Sequence, residues 1–249
     1  MEFRGLPAPR ADYYRLPQRP GPTPTLAFTM KRILLYGATG RTGELIAQLA
    51  LQQGYAVTAL MRNPTKLTVQ SEHLTVIEGQ PTSLADVRQA MCGCHAVISA
   101  LSALSESESF SRQKITPPHT LATAMRHTIT AMHEHGLRRI VTLSSIGVGD
   151  SWPYAPWYMR LIIKLTNFKL VFADHQQQET LLRQSKLDWI IARPVALNNK
   201  VPLGELRVSY EQTPASFALS RRQLARFMVD CLANNDFVHK APLLSEQKA

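Results

Sequence analysis

Seven consecutive residues, Gly37-Ala38-Thr39-Gly40-Arg41-Thr42-Gly43, carry the clearest chemical signal in the chain. They follow a short apolar run, Ile33 to Tyr36, and open a segment in which Leu45, Ile46, Leu49 and Ala50 recur at helical spacing as far as Gly54. A glycine-rich turn between a strand and a helix presents backbone N–H groups to an anion, and the helix dipole favours negative charge there. The pyrophosphate of a dinucleotide is the expected ligand. The spacing is G-x-x-G-x-x-G rather than the commoner G-x-G-x-x-G, so the loop is one residue longer and the Thr39 and Thr42 hydroxyls can supplement its backbone.

The next strand, Ala56 to Met61, should deliver the residue that reads the adenosine ribose. That residue is Arg62, followed by Asn63-Pro64-Thr65-Lys66 with no Asp or Glu in the window. A free 2′-hydroxyl calls for an acid, whereas Arg62, helped by Arg41 or Lys66, suits charge-assisted bonds to a 2′-phosphate. The expected cofactor is NADP(H) rather than NAD.

Elements that would position these groups repeat along the chain. Leu74–Ile77, Ala96–Ala100, Ile140–Leu143 and Trp189–Ala192 are further short apolar runs, separated by helical stretches at 83–91, 116–135 and 172–184. Strands alternating with helices predict an α/β fold, a Rossmann-like doubly wound parallel sheet with helices on both faces. The tail predicts a strand at Leu206–Ser209, a helix from Ser220, its N-cap, to Ala233, and a last strand near Ala241–Leu244. No repeat or internal linker interrupts 30–249, so one domain is expected there. Residues 1–29, with six prolines and four arginines, read as a disordered extension, and Met30 is a candidate start of the folded chain.

Composition excludes several classes. With 249 residues, 45% hydrophobic and 18% charged, the chain is neither a disordered polyampholyte nor a membrane-spanning protein, because no apolar run is long enough. Three cysteines, Cys92, Cys94 and Cys231, are too few for a disulfide framework and suit a reducing cytoplasm. The net charge of +10 attracts anions, but lysines and arginines are scattered rather than gathered, which argues against a nucleic-acid groove. Cys92-Gly93-Cys94-His95 lacks a second ligand pair and reads as reduced thiols in a buried position, and His133-Glu134-His135 points its imidazoles apart on a helix. No metal is expected.

The Gly37–Gly43 turn, Arg62-Asn63-Pro64, Ser144-Ser145-Ile146-Gly147, and the stretch from Glu179 to Ser185 through Arg193-Pro194 together resemble the atypical short-chain dehydrogenase/reductases of the NAD(P)H-binding type. The likeness runs from about Met30 to Leu244 and is strongest to the biliverdin-IX-beta reductase, or flavin reductase, group. The resemblance implies that strand ends near Ala100-Leu101, Ser145 and Pro194 surround the nicotinamide. It also implies an adenine contact after the third strand, where such families commonly have Gly-Asp. This chain has Gly79-Gln80, and the Gln80 amide oxygen can accept from the adenine amino group.

Classical members reduce carbonyls with a Tyr-x-x-x-Lys pair that supplies the proton after hydride transfer. None of the seven tyrosines has a lysine four residues on, and alignment on Glu179 puts Val171 and His175 at the two positions. Acceptors that take hydride into a conjugated ring and collect protons from water, such as flavins, quinones or linear tetrapyrroles, need no such acid. The aromatic stretch Ser151 to Met159 supplies stacking surface after the fifth strand, or else a lid on the core or a second subunit. Ser145 is a candidate hydrogen-bonding partner for substrate or nicotinamide, and His175 a candidate proton donor with a pKa near neutrality. Ser102 to Ser111 reads as a loop gating the nicotinamide side.

The expected function is that of a cytoplasmic NADPH-dependent reductase of a small conjugated acceptor, with no nucleic-acid or membrane partner. The alternatives are a non-catalytic NADP-sensing regulator resembling the NmrA family, an isomerase or epimerase holding NADP tightly, or an assembly role for the aromatic segment. Acceptor identity and oligomeric state stay open.

Overall fold

The computed structural model describes residues 30–102, 119–201 and 204–248. The N-terminal extension and the serine-rich stretch beyond Ser102 lie outside the described residues.

β1 (Arg32–Tyr36) sends Ile33 and Leu35 into one buried layer and Leu34 and Tyr36 into another. Helices cover both faces, so the strand stays apolar at successive positions instead of alternating with polar residues. β2 (Ala56–Met61) and β4 (Ala96–Ser99) are buried along their whole length for the same reason. β3 (Leu74–Glu78) forms one edge, with Thr75, Val76 and Glu78 exposed. β5 (Arg139–Leu143), β6 (Asp188–Pro194), β8 (Gly204–Ser209) and β10 (Leu243–Lys248) complete the main sheet, while β7 (Leu197–Asn198) and β9 (Leu219–Ser220) make a separate small pair.

The strand order is β3-β2-β1-β4-β5-β6-β10-β8. Every pairing is parallel except that of β10 with β8, which closes the far edge antiparallel. The expected doubly wound sheet is therefore present, with one antiparallel strand added. The chain reverses direction across the sheet between β1 and β4, the switch point where open α/β sheets bind ligands at the carboxyl ends of their strands.

α1 (Arg41–Gln52) and α6 (Arg221–Asp230) pack together on one face, burying Ile46, Ala47, Leu224 and Phe227. α2 (Leu84–Met91), α3 (Thr120–Glu134) and α5 (Phe168–Gln184) cover the other with Val87, Met125, Met132 and Leu182. Ser220 caps α6 as expected, its hydroxyl accepting from the Gln223 N–H at 3.1 Å.

The aromatic stretch departs most from expectation. It folds as a 3-10 turn at Gly149–Tyr154 followed by α4 (Trp157–Leu165), which buries Ile163 beside Val171 and Phe172 of α5. Only Arg160 and Lys164 interrupt its apolar residues, so no helical period is visible in the sequence. α5 likewise starts at Phe168, four residues before the expected 172.

Candidate functional site

The turn after β1 is built by close approach. Gly37 has φ of +81°, and a Cβ there would lie 2.6 Å from the Ala100 carbonyl oxygen at the end of β4. A Cβ on Gly43 would lie 1.9 Å from the Gly37 carbonyl oxygen. Both positions need glycine, one for its left-handed backbone and one because α1 is pressed against the strand end. Gly40 is the α1 N-cap, with extended backbone and no side-chain cap, and the first helical bond runs from the Glu44 N–H to the Gly40 oxygen at 2.9 Å. The N–H groups of Thr42 and Gly43 precede that bond and have no acceptor within the helix.

Three other helices of the fold, α2, α3 and α6, have their N-termini satisfied by side chains, whereas α4 and α5, like α1, have no side-chain cap. Ser83 caps α2 by accepting from the Asp86 N–H, and Ser220 caps α6. Asp174 of α5 accepts from the Leu121 and Ala122 N–H groups of α3, both at 2.9 Å, so the chain supplies that anion itself. α1 is left with a glycine cradle and the positive end of its dipole, a fit for a pyrophosphate. Thr39 and Arg41 are exposed beside it, and Thr42 is buried in the first turn.

Arg62 stands exposed at the end of β2, with no hydrogen bond or ion pair among the described residues. The turn behind it is held by Asn63, whose Oδ1 accepts from the Thr65 N–H at 3.0 Å and the Thr65 hydroxyl at 2.6 Å. Gln80 is exposed after β3; its N–H donates to Asp86 at 2.9 Å and its Oε1 accepts from the Thr82 hydroxyl at 3.3 Å. Strand order then lays Gln80, Arg62, the Gly37 turn, Ala100, Ser145 and Pro194 along one edge of the sheet in sequence. Five strand gaps span about 24 Å. Residues scattered over 158 positions of chain thus form one row.

At the far end of that row, the Ser144 N–H donates to the Ala192 oxygen at 2.8 Å and the Ile146 N–H to the Pro194 oxygen at 3.1 Å, which clamps the segment carrying Ser145 to β6. Ser145 is half-buried, and its hydroxyl makes only a 3.2 Å contact with the neighbouring Ile146 oxygen. Leu101 is half-buried beside Ala100.

His175 differs from the expected proton donor. It is buried, with Nδ1 lacking a hydrogen-bond partner among the described residues. Burial pulls its pKa from 6.5 down to about 4, against a smaller opposing pull from Asp174. The imidazole is neutral at pH 7, so a pKa near neutrality is corrected. The sequence could not show this, because α5 buries two faces at once, toward the sheet and toward α3 and α4.

A buried charge cluster beneath Ser145 was not assigned a role from sequence. Glu179 Oε1 accepts from the Ser144 hydroxyl at 2.6 Å and from Arg193 Nε at 3.0 Å, while Arg193 Nη2 donates at 2.5 Å to both Glu179 Oε2 and Asp150 Oδ1. Burial works against the Asp150 carboxylate, but the Arg193 bond and charge outweigh it and hold its pKa below the ordinary value. The same acids raise the Arg193 pKa despite its burial. The available signal was an arginine closing an otherwise apolar strand, since a buried cation requires a nearby acid.

The cysteines are free, and Cys94 and Cys231 are buried with raised thiol pKa values, the former to about 11. Cys92 is exposed, which corrects its expected burial: it ends α2 just beyond the core. Among the described residues no cluster has the makings of a metal site, and no helix is long and apolar enough to cross a membrane.

Comparison with known proteins agrees with this architecture. The family model described as NAD(P)H-binding matches residues 37–235. An uncharacterised chloroplastic protein of Arabidopsis thaliana is 26% identical over 218 residues, covering 84% of this chain and 75% of that protein. Among solved structures, an Escherichia coli O157:H7 protein described as an anaerobilin reductase superposes with a TM-score of 0.72 at 21% identity, covering 88% of this chain and 98% of that one. A short-chain dehydrogenase/reductase of Veillonella parvula in complex with NADP gives 0.68 at 20% identity, covering 87% and 94%. The two structures share the fold, and the family match takes in the phosphate cradle, Arg62, Ser145 and the Arg193-Pro194 strand end. The chain belongs to the NAD(P)H-binding family.

Proposed function

We propose that the protein is an NADPH-dependent oxidoreductase that passes hydride to a small conjugated acceptor, a flavin, a quinone or a linear tetrapyrrole. The observation that carries this reading is the glycine cradle at the β1–α1 turn, whose neighbours at Gly37 and Gly43 leave no room for a side chain and whose helix has no cap of its own. The exposed guanidinium of Arg62, unpartnered among the described residues, favours a cofactor bearing a 2′-phosphate. The Veillonella neighbour was solved with NADP, and the Escherichia coli neighbour's description as an anaerobilin reductase favours a bilin-like acceptor.

The bound cofactor supplies a hydride; the chain's own task is orientation. In this reading the Thr39, Gly40, Arg41, Thr42 and Gly43 segment holds the pyrophosphate, and Gln80 contacts the adenine. Ala100, Leu101 and Pro194 line the nicotinamide, while Ser145 offers a hydroxyl to the nicotinamide amide or to substrate. His175, the proton donor expected from the sequence, is held neutral by burial at pH 7. Acceptors whose reduced form collects its proton from water fit that arrangement. His175 Nδ1, buried and unpartnered, is better suited to accept a hydrogen bond from a ligand hydroxyl than to donate a proton.

The cytoplasm is the compartment this reading assigns, in keeping with three free cysteines. A second reading, a regulator that binds NADP without turnover, is favoured by the same neutral His175 and by Val171, both buried where a catalytic lysine and tyrosine would lie. NADPH oxidation measured against FMN, riboflavin, simple quinones and biliverdin separates the two. Turnover that Gly43→Ala abolishes supports the reductase; NADPH binding without turnover on any acceptor supports the sensor.

A further inference from the structure

α4 presents an apolar face that the described residues leave exposed. Trp157 is 72% exposed, Tyr158 44%, Leu161 49%, Ile162 41% and Leu165 52%. At 3.6 residues per turn these five occupy one arc of about 140°. Single exposed apolar side chains are ordinary, but five contiguous ones including Trp and Tyr mark a contact surface. Ile163 on the opposite side is buried against α5, so the helix is anchored by one face and offers the other.

The segment that carries this face bears charge of one sign. From Trp152 to Ala173 the chain contains Arg160, Lys164 and Lys169 and no acid at all. Lys164 and Lys169 are exposed, and the Lys164 ammonium sits 5.9 Å from the Trp152 ring centroid, at the margin of the apolar arc. An aromatic-rich helix face flanked by lysines is the pattern of a helix that lies in a lipid interface, its apolar side in the acyl boundary and its cations among anionic headgroups. A second copy of the chain fits less well. An isologous contact would set the same patch against itself, and the three cations of each copy would face like charges.

We propose that α4 is a peripheral docking surface for an anionic lipid bilayer. The expectation of no membrane partner rested on the lack of a spanning run, and a surface-lying helix needs none. In the chain this helix follows the carboxyl end of β5, the end of the sheet that bears the phosphate cradle. The inference stands on exposure and charge alone and does not depend on the reductase reading.

The test is cosedimentation of the full chain with vesicles of phosphatidylcholine alone and of phosphatidylcholine with phosphatidylglycerol, without NADPH. Binding to the anionic vesicles is expected and should weaken with added salt. Trp157→Ser with Leu161→Ser should lower the partition coefficient at least about tenfold, and Lys164→Gln with Lys169→Gln about 25-fold, near fivefold per lysine. These side chains are exposed, so unchanged thermal unfolding and NADPH binding would show that the variants fold. Absence of binding, or equal partition onto neutral and anionic vesicles, would overturn the proposal. So would a dimer in solution that the Trp157→Ser, Leu161→Ser variant dissolves, or an acidic protein that competes α4 off the vesicles.

Discussion

Gly43→Ala tests the cofactor site most directly. The new methyl carbon would stand 1.9 Å from the Gly37 oxygen, 2.6 Å from its carbon and 3.0 Å from the Ala38 nitrogen. Ordinary contact begins at 3.4 Å, so α1 must retreat from the end of β1 by about 1.5 Å, the difference between 3.4 and 1.9 Å. Its obstacles are backbone atoms and cannot rotate away. A shift of that size takes the Thr42 and Gly43 N–H groups out of reach of any anion they hold, since a bond of about 2.9 Å would open well past 3.5 Å. Two bonds to a charged acceptor, each contributing about 1.5–3 kcal/mol, amount to roughly a 10²- to 10⁴-fold loss of NADPH affinity. Overpacking should cost a further 1–3 kcal/mol of stability, or about 2–12 °C in Tm for a chain of this size. Gly54→Ala is the matched control. Gly54 has φ of +82°, but nothing lies within 4 Å of its missing Cβ, so that variant should lose only about 1 kcal/mol of stability and bind NADPH normally. The assay is fluorescence titration with NADPH beside a thermal melt. A Gly43→Ala protein that is folded and binds NADPH within threefold of the parent would refute the assignment of the pyrophosphate to the α1 N-terminus.

Arg62→Ala should lower the preference for NADPH over NADH by about 10- to 100-fold, the worth of one or two charge-assisted bonds, while leaving the melting temperature unchanged because Arg62 is exposed. An unchanged ratio of dissociation constants would mean that another residue reads the 2′-phosphate. Glu179→Ala leaves Arg193 buried without its bidentate partner, and urea unfolding should show a loss of about 3–5 kcal/mol, larger than Asp150→Ala produces at its exposed end of the cluster. His175 takes up its proton at about pH 4 in the folded protein and near 6.5 when unfolded. Its contribution to stability is therefore complete above pH 6.5 and is lost as the pH falls toward 4, up to about 3 kcal/mol. His175→Gln should flatten that part of a stability profile followed by denaturant titration; an identical profile would show that other groups dominate. Activity, if present, should show no inflection near pH 6.5 from this residue.

Much of the architecture and the first half of the site are legible in the chain itself. A phosphate turn is local: strand, glycines and helix follow one another within about twenty residues, and the steric demand at Gly37 and Gly43 leaves a visible mark because only glycine meets it. Arg62 is legible for the same reason, since it directly follows an apolar strand. The alternation of strands and helices also determines that the sheet is largely parallel and covered on both faces. Tertiary structure decided what depends on residues distant in sequence. His175 reads as a proton donor titrating near neutrality until α3 and α4 pack beside α5, and that burial makes it neutral at pH 7. Glu179 and Arg193, fourteen residues apart, become a buried pair because α5 returns over the end of β6. The apolar face of α4 shows the reverse case. Its aromatic residues read as a stacking surface or as a lid on the core or a second subunit, and whether an apolar residue is covered is settled by its neighbours in space, which a one-dimensional pattern does not contain.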